Sequence, residues 1–376
     1  MCKKLVFEIL EDLIRINTSN PPGNEKTAVE YLYRLFLKYD ITMKIQDLGN
    51  NRANLIASYG GDGPEIIFCG HLDVVPAGEM WTMPPFEAEC KDGRIYGRGA
   101  ADMKGGIAAM CAAMIRLAEE KVILQGKLTL AFVADEEFCN LGMRRFLKDK
   151  KEACLAVIGE PTELQVAIAH RGVLRDYIDI IAPSYHAALP GRKYNAVNYA
   201  AEAMIAIFQL NEKLKCYHHE ILPAPSIAVT KVEGYECDNI VPGSVRLLTD
   251  FRILPEMNFE ECREIEETAL SNIEEYEIKQ HFFMPGGEID KQHKFVKLCC
   301  EIGEKILKKK QEPIAFDASC EQCFLLEQGI PTVVCGPGSL KQAHVSDEYV
   351  EVEQILLAEQ FYYKLAKDFC RGRQDK

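Results

Sequence analysis

The sequence predicts an α/β layered protein with a second, α+β unit inserted into it. Three observations predict this. The chain has 376 residues, enough for two or three domains. Short apolar, β-rich runs alternate with helical stretches over the first 160 residues and again near the end, the pattern of strands covered by helices. Between 173 and 285 the order changes to β-α-β-β-α-β, the ferredoxin-like arrangement. A hydrophobic fraction of 48% with 27% charged residues excludes disorder over most of the chain. No apolar run approaches the roughly 18 residues of a membrane span. Lysine and arginine total 44 against 57 acidic residues, a net charge of −13, which argues against a bulk-charge grip on nucleic acid.

Residues 3–16 and 26–39 place apolar side chains at helical spacing. NTSNPPGNE between them has turn and helix-start chemistry. Strands are expected over 54–59, 65–70, 127–133 and 153–159, with helices over 104–119 and 140–150. The inserted unit reads as strand 173–182, helix 195–214, strands 226–233 and 244–253, helix 258–274 and strand 276–283. MPGGE (284–288) reads as the linker back. A helix over 291–309, a strand over 331–335 and a helix over 352–370 complete the first unit. The boundaries are thus 1–172 with 286–376, and 173–285. KILKKK (305–310) reads as a solvated helix end. Fifteen cysteines, odd in number and scattered through apolar runs, suggest no disulfide framework. The N-terminus reads as an amphipathic helix rather than a leader. Both fit a reducing cytoplasm.

The chemistry gathers at strand ends. His71 and Asp73 follow the run IIFCG, two apart, so they face one way in an extended segment. Asp102 sits between a glycine-rich approach and a helix start. Asp135, Glu136 and Glu137 end the run LTLAFVA; Glu160 ends LAVIG; His344 lies in a loop after TVV. Ligands gather outside the carboxyl ends of strands in open α/β sheets. Two imidazoles with several carboxylates suit Zn²⁺, Co²⁺ or Mn²⁺ better than a soft-metal site. Two ions roughly 3.5–4 Å apart need a bridging carboxylate. His71, Asp102, Glu137, Glu160 and His344 supply the ligands, with Asp102 suited to bridge. Glu136 is left to take a proton from the attacking water.

Each residue has a plainer reading when taken alone. His71 could be a satisfied core histidine, Asp102 a helix N-cap, Asp135–Glu137 a solvated turn, Glu160 a turn residue before Pro161, and His344 a surface histidine. The set in this order favours the metal reading. His170 reads as a structural or hinge residue, and His218 and His219 as solvated. Cys320 and Cys323 lack a second pair to complete a zinc site. The glycine-rich stretches lack a nucleotide-binding pattern.

HLDVVPAG, WTMPPFEAECKDGRIYGRGAADMKGG, ADEE, GEPT, AHVSDEY and NPPGNE together resemble the M20 metallopeptidase/deacylase family. The narrower resemblance is to the acetylornithine deacetylase and succinyl-diaminopimelate desuccinylase group. It implies a zinc-peptidase-like catalytic domain with an inserted ferredoxin-like lid that dimerises. It implies that His71 and Glu160 bind one ion, Glu137 and His344 the other, and Asp102 both, with a cis peptide after Asp102. Asp73 would hold the His71 imidazole, and Glu136 would be the general base. SYHAALPGRKYNAV resembles the segment that lends His186 to a partner's site to hold the oxyanion. GYECDNIVPG and TDFR carry Asn239 and Arg252, which resemble substrate-contacting residues, Arg252 with a fork for a carboxylate. Ala182, Leu189, Lys193 and Cys320 depart from the family's pattern, while Glu321 keeps its acidic position. The resemblance implies a two-metal amide hydrolase acting on an N-acetyl or N-succinyl amino acid. A dipeptidase or carboxypeptidase remains the alternative. A non-catalytic binding protein is the remote one, and it would have lost a ligand or the base.

Overall fold

The structure, a computed structural model, describes residues 2–150, 153–189, 195–234 and 236–370. The chain divides into two compact units: Met1–Ile168 with Ile289–Phe316 and Cys320–Lys376, and Ala169–Glu288 with Asp317–Ser319.

The first unit is built on one mixed sheet. Its strand order is Thr42–Gly49, Arg52–Gly60, Lys127–Val133, Glu65–His71, Leu155–Pro161, Thr332–Gly336 and Ala167–His170. The four strands from Lys127–Val133 to Thr332–Gly336 are parallel to one another. They are almost continuously buried, as parallel strands covered on both faces are. The first helix, Cys2–Arg15, buries Val6, Ile9, Leu10, Leu13 and Ile14 completely. That is the i, i+3, i+4, i+7, i+8 stripe read from the sequence, each side chain contributing roughly 1.5–3 kcal/mol relative to exposure. The helix Gly105–Glu119 is buried almost all round. Gly106 lets it approach the strand Leu155–Pro161, since a Cβ there would meet the Gly159 carbonyl at 2.4 Å.

The strand Thr42–Gly49 was not foreseen. Most of its side chains are exposed and several are charged, so it carries no apolar alternation. It pairs with Arg52–Gly60 through a turn at Asn50 and Asn51, both at positive φ, as two-residue hairpins require. The expected linker at 284–288 is partly a strand. Gly287–Glu288 pairs with Ala167–His170, and the strand before it runs to Met284.

The second unit is a four-stranded antiparallel sheet, ordered Ser226–Glu233, Ser244–Ile253, Gly172–Ile181, Tyr276–Met284. Helices Ala196–Leu214 and Phe259–Ala269 complete the β-α-β-β-α-β order. Asn195 and Asn258 cap the two helices through their side-chain oxygens. The second helix stops at Ala269, short of the expected 274, where Ser271 and Asn272 favour a turn.

This unit buries an acidic pair, Asp176 and Glu266. Thr249 donates to Glu266 Oε1 and Arg263 to Asp176 Oδ2, leaving Asp176 Oδ1 and Glu266 Oε2 without another partner. Burial, then the neighbouring Asp176, hold the Glu266 carboxyl well above its usual range. The folded chain therefore keeps a proton that the unfolded chain loses above about pH 4.5. This contribution to stability falls as pH rises from there through the raised value of Glu266. Glu266→Gln is expected to flatten that slope and to stabilise the fold at pH 8 by on the order of 1 kcal/mol. Urea unfolding at pH 5 and pH 8 measures it; an unchanged slope would refute the shared-proton reading.

Candidate metal centre

Four parallel strands bring four segments to one end of the sheet. His71 closes Glu65–His71, Glu160 stands next to last in Leu155–Pro161, and Ala134–Glu137 follows Lys127–Val133. His344 lies eight residues beyond Thr332–Gly336, at φ 62°. Asp102 comes from the turn Ala100–Lys104, ahead of the buried helix. Gly99 at φ 86° opens that turn, and the Asp102–Met103 peptide is cis, as the resemblance implied.

Asp102 faces two ways. Its Oδ1 lies 3.1 Å from His71 Nε2 and its Oδ2 lies 3.2 Å from His344 Nε2. Glu160 Oε1 stands 3.6 Å from the same nitrogen of His71, and Glu137 Oε1 3.1 Å from that of His344. Two three-donor poles therefore share one carboxylate. Ligand atoms of His71, Asp102 and Glu137 all lie within 4.8 Å of one another. Burial works to lower His71, but Asp102 and then Glu160 hold it well above its ordinary value. Asp102 and Glu137 push His344 up to about 10. Burial, and then the Asp102 charge, raise Glu160 well above the carboxylate range. Three carboxylates and two imidazoles converge there, and divalent cations would take the place of the protons they hold. The donor set and its two-pole geometry fit a pair of divalent ions.

Glu136 precedes Glu137 at the same strand end, within electrostatic reach of His71, Glu137 and Glu160. Burial raises its proton affinity well above the usual value; His71 opposes this, and Glu137, Glu160 and Glu321 reinforce it. Glu321 itself is buried with Oε1 unpartnered. Burial pushes it up to about 8, against the pull of His71.

Asp73 meets His71 through both its main chain and its side chain, the main chain more closely. His71 Nδ1 lies 2.9 Å from the Asp73 main-chain carbonyl, with the carboxylate 3.7 Å away. The carboxylate also accepts the N–H groups of Glu136 and Glu137, each at 3.1 Å, and the Asn20 amide at 2.8 Å. Its main chain meets the His71 ring, and its side chain fixes the turn that carries Glu136. Asn20 also donates to Asp135, which accepts from Arg52, and Arg52 is forked onto Glu25. This buried chain was missed. Its only sequence signal was an arginine heading an otherwise apolar strand.

In the second unit His186 and Asn239 meet across a two-stranded pairing of Tyr185–His186 with Ile240–Val241. The Asn239 carboxamide lies 3.3 Å from His186 Nε2, and the Ala188 N–H donates to Nδ1. The Asn239 atom that faces His186 is Nδ2, and its Oδ1 accepts from the Cys237 thiol at 3.1 Å. Arg252 is occupied otherwise: Nε and Nη2 reach Asp250 at 2.5 and 3.3 Å. His170 is buried, with Nδ1 on the Arg171 carbonyl. His219, expected to be solvated, is instead 9% exposed and 3.2 Å from Glu288; His218 is exposed. Leu189 is exposed, Ala182 buried, and Lys193 lies outside the described residues. In the first unit Cys320 and Cys323 are buried. Among the described residues they join no cluster of metal-binding groups.

The model of peptidase family M20/M25/M40 matches residues 67–368. Among solved structures, an M20 family metallo-carboxypeptidase from Sulfolobus solfataricus superposes with a TM-score of 0.81 at 17% identity, covering 96% of this chain and 98% of its own. A tripeptidase from Staphylococcus aureus gives 0.80 at 21% identity, covering 98% and 99%. A dinuclear metal binding M20 peptidase from Bacillus subtilis gives 0.72 at 17% identity, covering 98% of each chain. These likenesses establish the shared fold. No helix among the described residues is long and apolar enough to cross a membrane.

Proposed function

We propose that this chain, which belongs to peptidase family M20/M25/M40 and is a metal-dependent amide hydrolase, removes an acyl group from an N-acyl amino acid of the N-acetyl or N-succinyl type. The observation that carries the reading is Asp102, with one oxygen toward His71 and Glu160 and the other toward His344 and Glu137. Bound ions, Zn²⁺ or else Co²⁺ or Mn²⁺, would polarise the carbonyl and make water acidic. Glu136 takes the proton of the attacking water and gives it to the leaving nitrogen, so amide and water become carboxylic acid and amine. His186, from a second copy, would stabilise the developing oxyanion through its imidazole. Arg252 would exchange Asp250 for the substrate carboxylate, with Asn239 beside it.

A homodimer through the second unit is supported by the outer face of Ala196–Leu214. Val197, Ile205 and Phe208 are 48%, 56% and 75% exposed there, and the neighbouring strand Ser226–Glu233 is a sheet edge. Edges of this kind invite pairing. A cytoplasmic setting fits the unpaired cysteines described.

The test is amine release from a panel of N-acetyl and N-succinyl amino acids and dipeptides, with and without EDTA. Chelator-sensitive release from one acylated amino acid is expected, and Phe208→Glu is expected to give an inactive monomer in sedimentation. Preference for dipeptides would instead favour a dipeptidase or carboxypeptidase, a reading the names of the similar structures support.

A further inference from the structure

Two of the metal-facing groups, Asp102 and His344, lie off the sheet strands, on segments whose own hydrogen bonds are short-range. His71 and Glu160 differ, since each ends a buried parallel strand. Glu137 is fixed through its N–H by Asp73. His344 is half exposed and left-handed, at φ 62°, a conformation that persists only where its surroundings enforce it. Asp102 lies in a turn at φ −122°, ψ 93°.

One fully buried ion pair touches both segments. Glu348 Oε1 accepts the N–H groups of Ala101 and Asp102, at 2.9 and 3.1 Å. Its Oε2 lies 2.6 Å from Arg98 Nη1, with the two side chains 0% and 2% exposed. Arg98 also donates to the Val345 carbonyl, next to His344, and to the Ala77 carbonyl. The Glu348 carbonyl in turn accepts the Gly97 N–H. The strand Tyr349–Glu351, which follows Glu348, pairs with Arg94–Tyr96. The loop that presents His344 and the turn that presents Asp102 therefore share the Glu348 carboxylate, while Asp347 and Ser346 also tie the loop to Thr82, Met83 and Glu79.

We propose that Glu348 is a positioning residue that couples Asp102 to His344 and sets the affinity of the pole formed by His344, Glu137 and Asp102. This rests on the two-metal reading above. The effect concentrates on that pole because His71 and Glu160 keep their strand-end positions without Glu348. Asp102 Oδ1 still faces His71 when the loop relaxes, whereas His344 loses its register. Glu348→Gln keeps the shape but turns a donor toward Arg98, which breaks the pair and frees the loop. A plain structural strut would lower the affinity of both poles together, or neither.

The experiment titrates EDTA-stripped full-length protein with Zn²⁺ and, separately, with Co²⁺, by calorimetry against a competing chelator. His344→Ala and Glu160→Ala identify which step belongs to which pole. Glu348→Gln is expected to lose about 10- to 100-fold in the step that His344→Ala removes. The step that Glu160→Ala removes is expected to stay within about threefold, since His71 and Glu160 keep their strand ends and the Gln oxygen still accepts the Asp102 N–H. Arg98→Lys, which keeps the charge but not the fork, is expected to shift the same step. It carries the test if Glu348→Gln fails to fold in a thermal melt. Wild-type affinities for both steps in the folded variants would overturn the coupling, and so would equal losses in both. A wild-type protein that takes up fewer than two ions would overturn the two-metal reading itself, and the coupling with it. That result is distinct because it needs no variant.

Discussion

Glu136→Gln is expected to keep both metal positions and to lose roughly 10²–10⁴-fold in turnover, the range that a positioned general base supplies. The main-chain N–H of Glu136 is held by the Asp73 carboxylate, and that bond does not depend on the side chain. Glutamine therefore leaves the turn, Glu137 and the metal-facing oxygens where they are. It removes only the capacity to accept a proton. The residues proposed to contact substrate, Arg252 and Asn239, are unaltered, so the loss is expected in kcat with KM changed little. Metal content by atomic absorption and steady-state kinetics measure the two halves. A variant that keeps more than a tenth of wild-type turnover would sink the base assignment. One that loses metal would show that Glu136 is a ligand.

What could be read from the sequence and what could not divide along a physical line. His71, Glu137 and Glu160 were legible because each follows an unbroken run of apolar β-formers, and a buried strand that runs straight into acid or imidazole is a local signal. The ferredoxin-like order of the second unit was legible for the same reason, since each element carries its own periodicity. Asn20, Arg52 and Glu348 were not. Their partners lie 53, 83 and 246 residues away, and a single buried polar contact leaves no period in the chain. Asp73 shows the limit at close range. Its position two residues from His71 was visible, but its carboxylate turns toward Glu136 and Glu137, which only the packing of a second strand end decides. His219 was misread because its partner, Glu288, lies in the segment read as a linker.

Asp102→Ala is expected to abolish uptake of both ions, where Glu160→Ala and His344→Ala each abolish one. The asymmetry follows from geometry: Asp102 alone presents an oxygen to each pole. Without it each pole keeps one imidazole and one carboxylate, two protein donors where such sites need at least three. Stability reports the same event without a substrate. Ions that bind only the folded chain stabilise it by roughly 2.7 kcal/mol each at a hundred times Kd, so stripping wild type with EDTA is expected to lower Tm by several degrees. Asp102→Ala is expected to melt at one temperature with or without Zn²⁺ and EDTA, and to release no amine. Glu160→Ala and His344→Ala are each expected to show about half the wild-type shift. If Asp102→Ala still takes up one ion at wild-type affinity, the shared carboxylate is not the hinge of the site. The pole that survives would then have its third ligand among the remaining carboxylates, with Glu136 and the buried Glu321 the first to substitute.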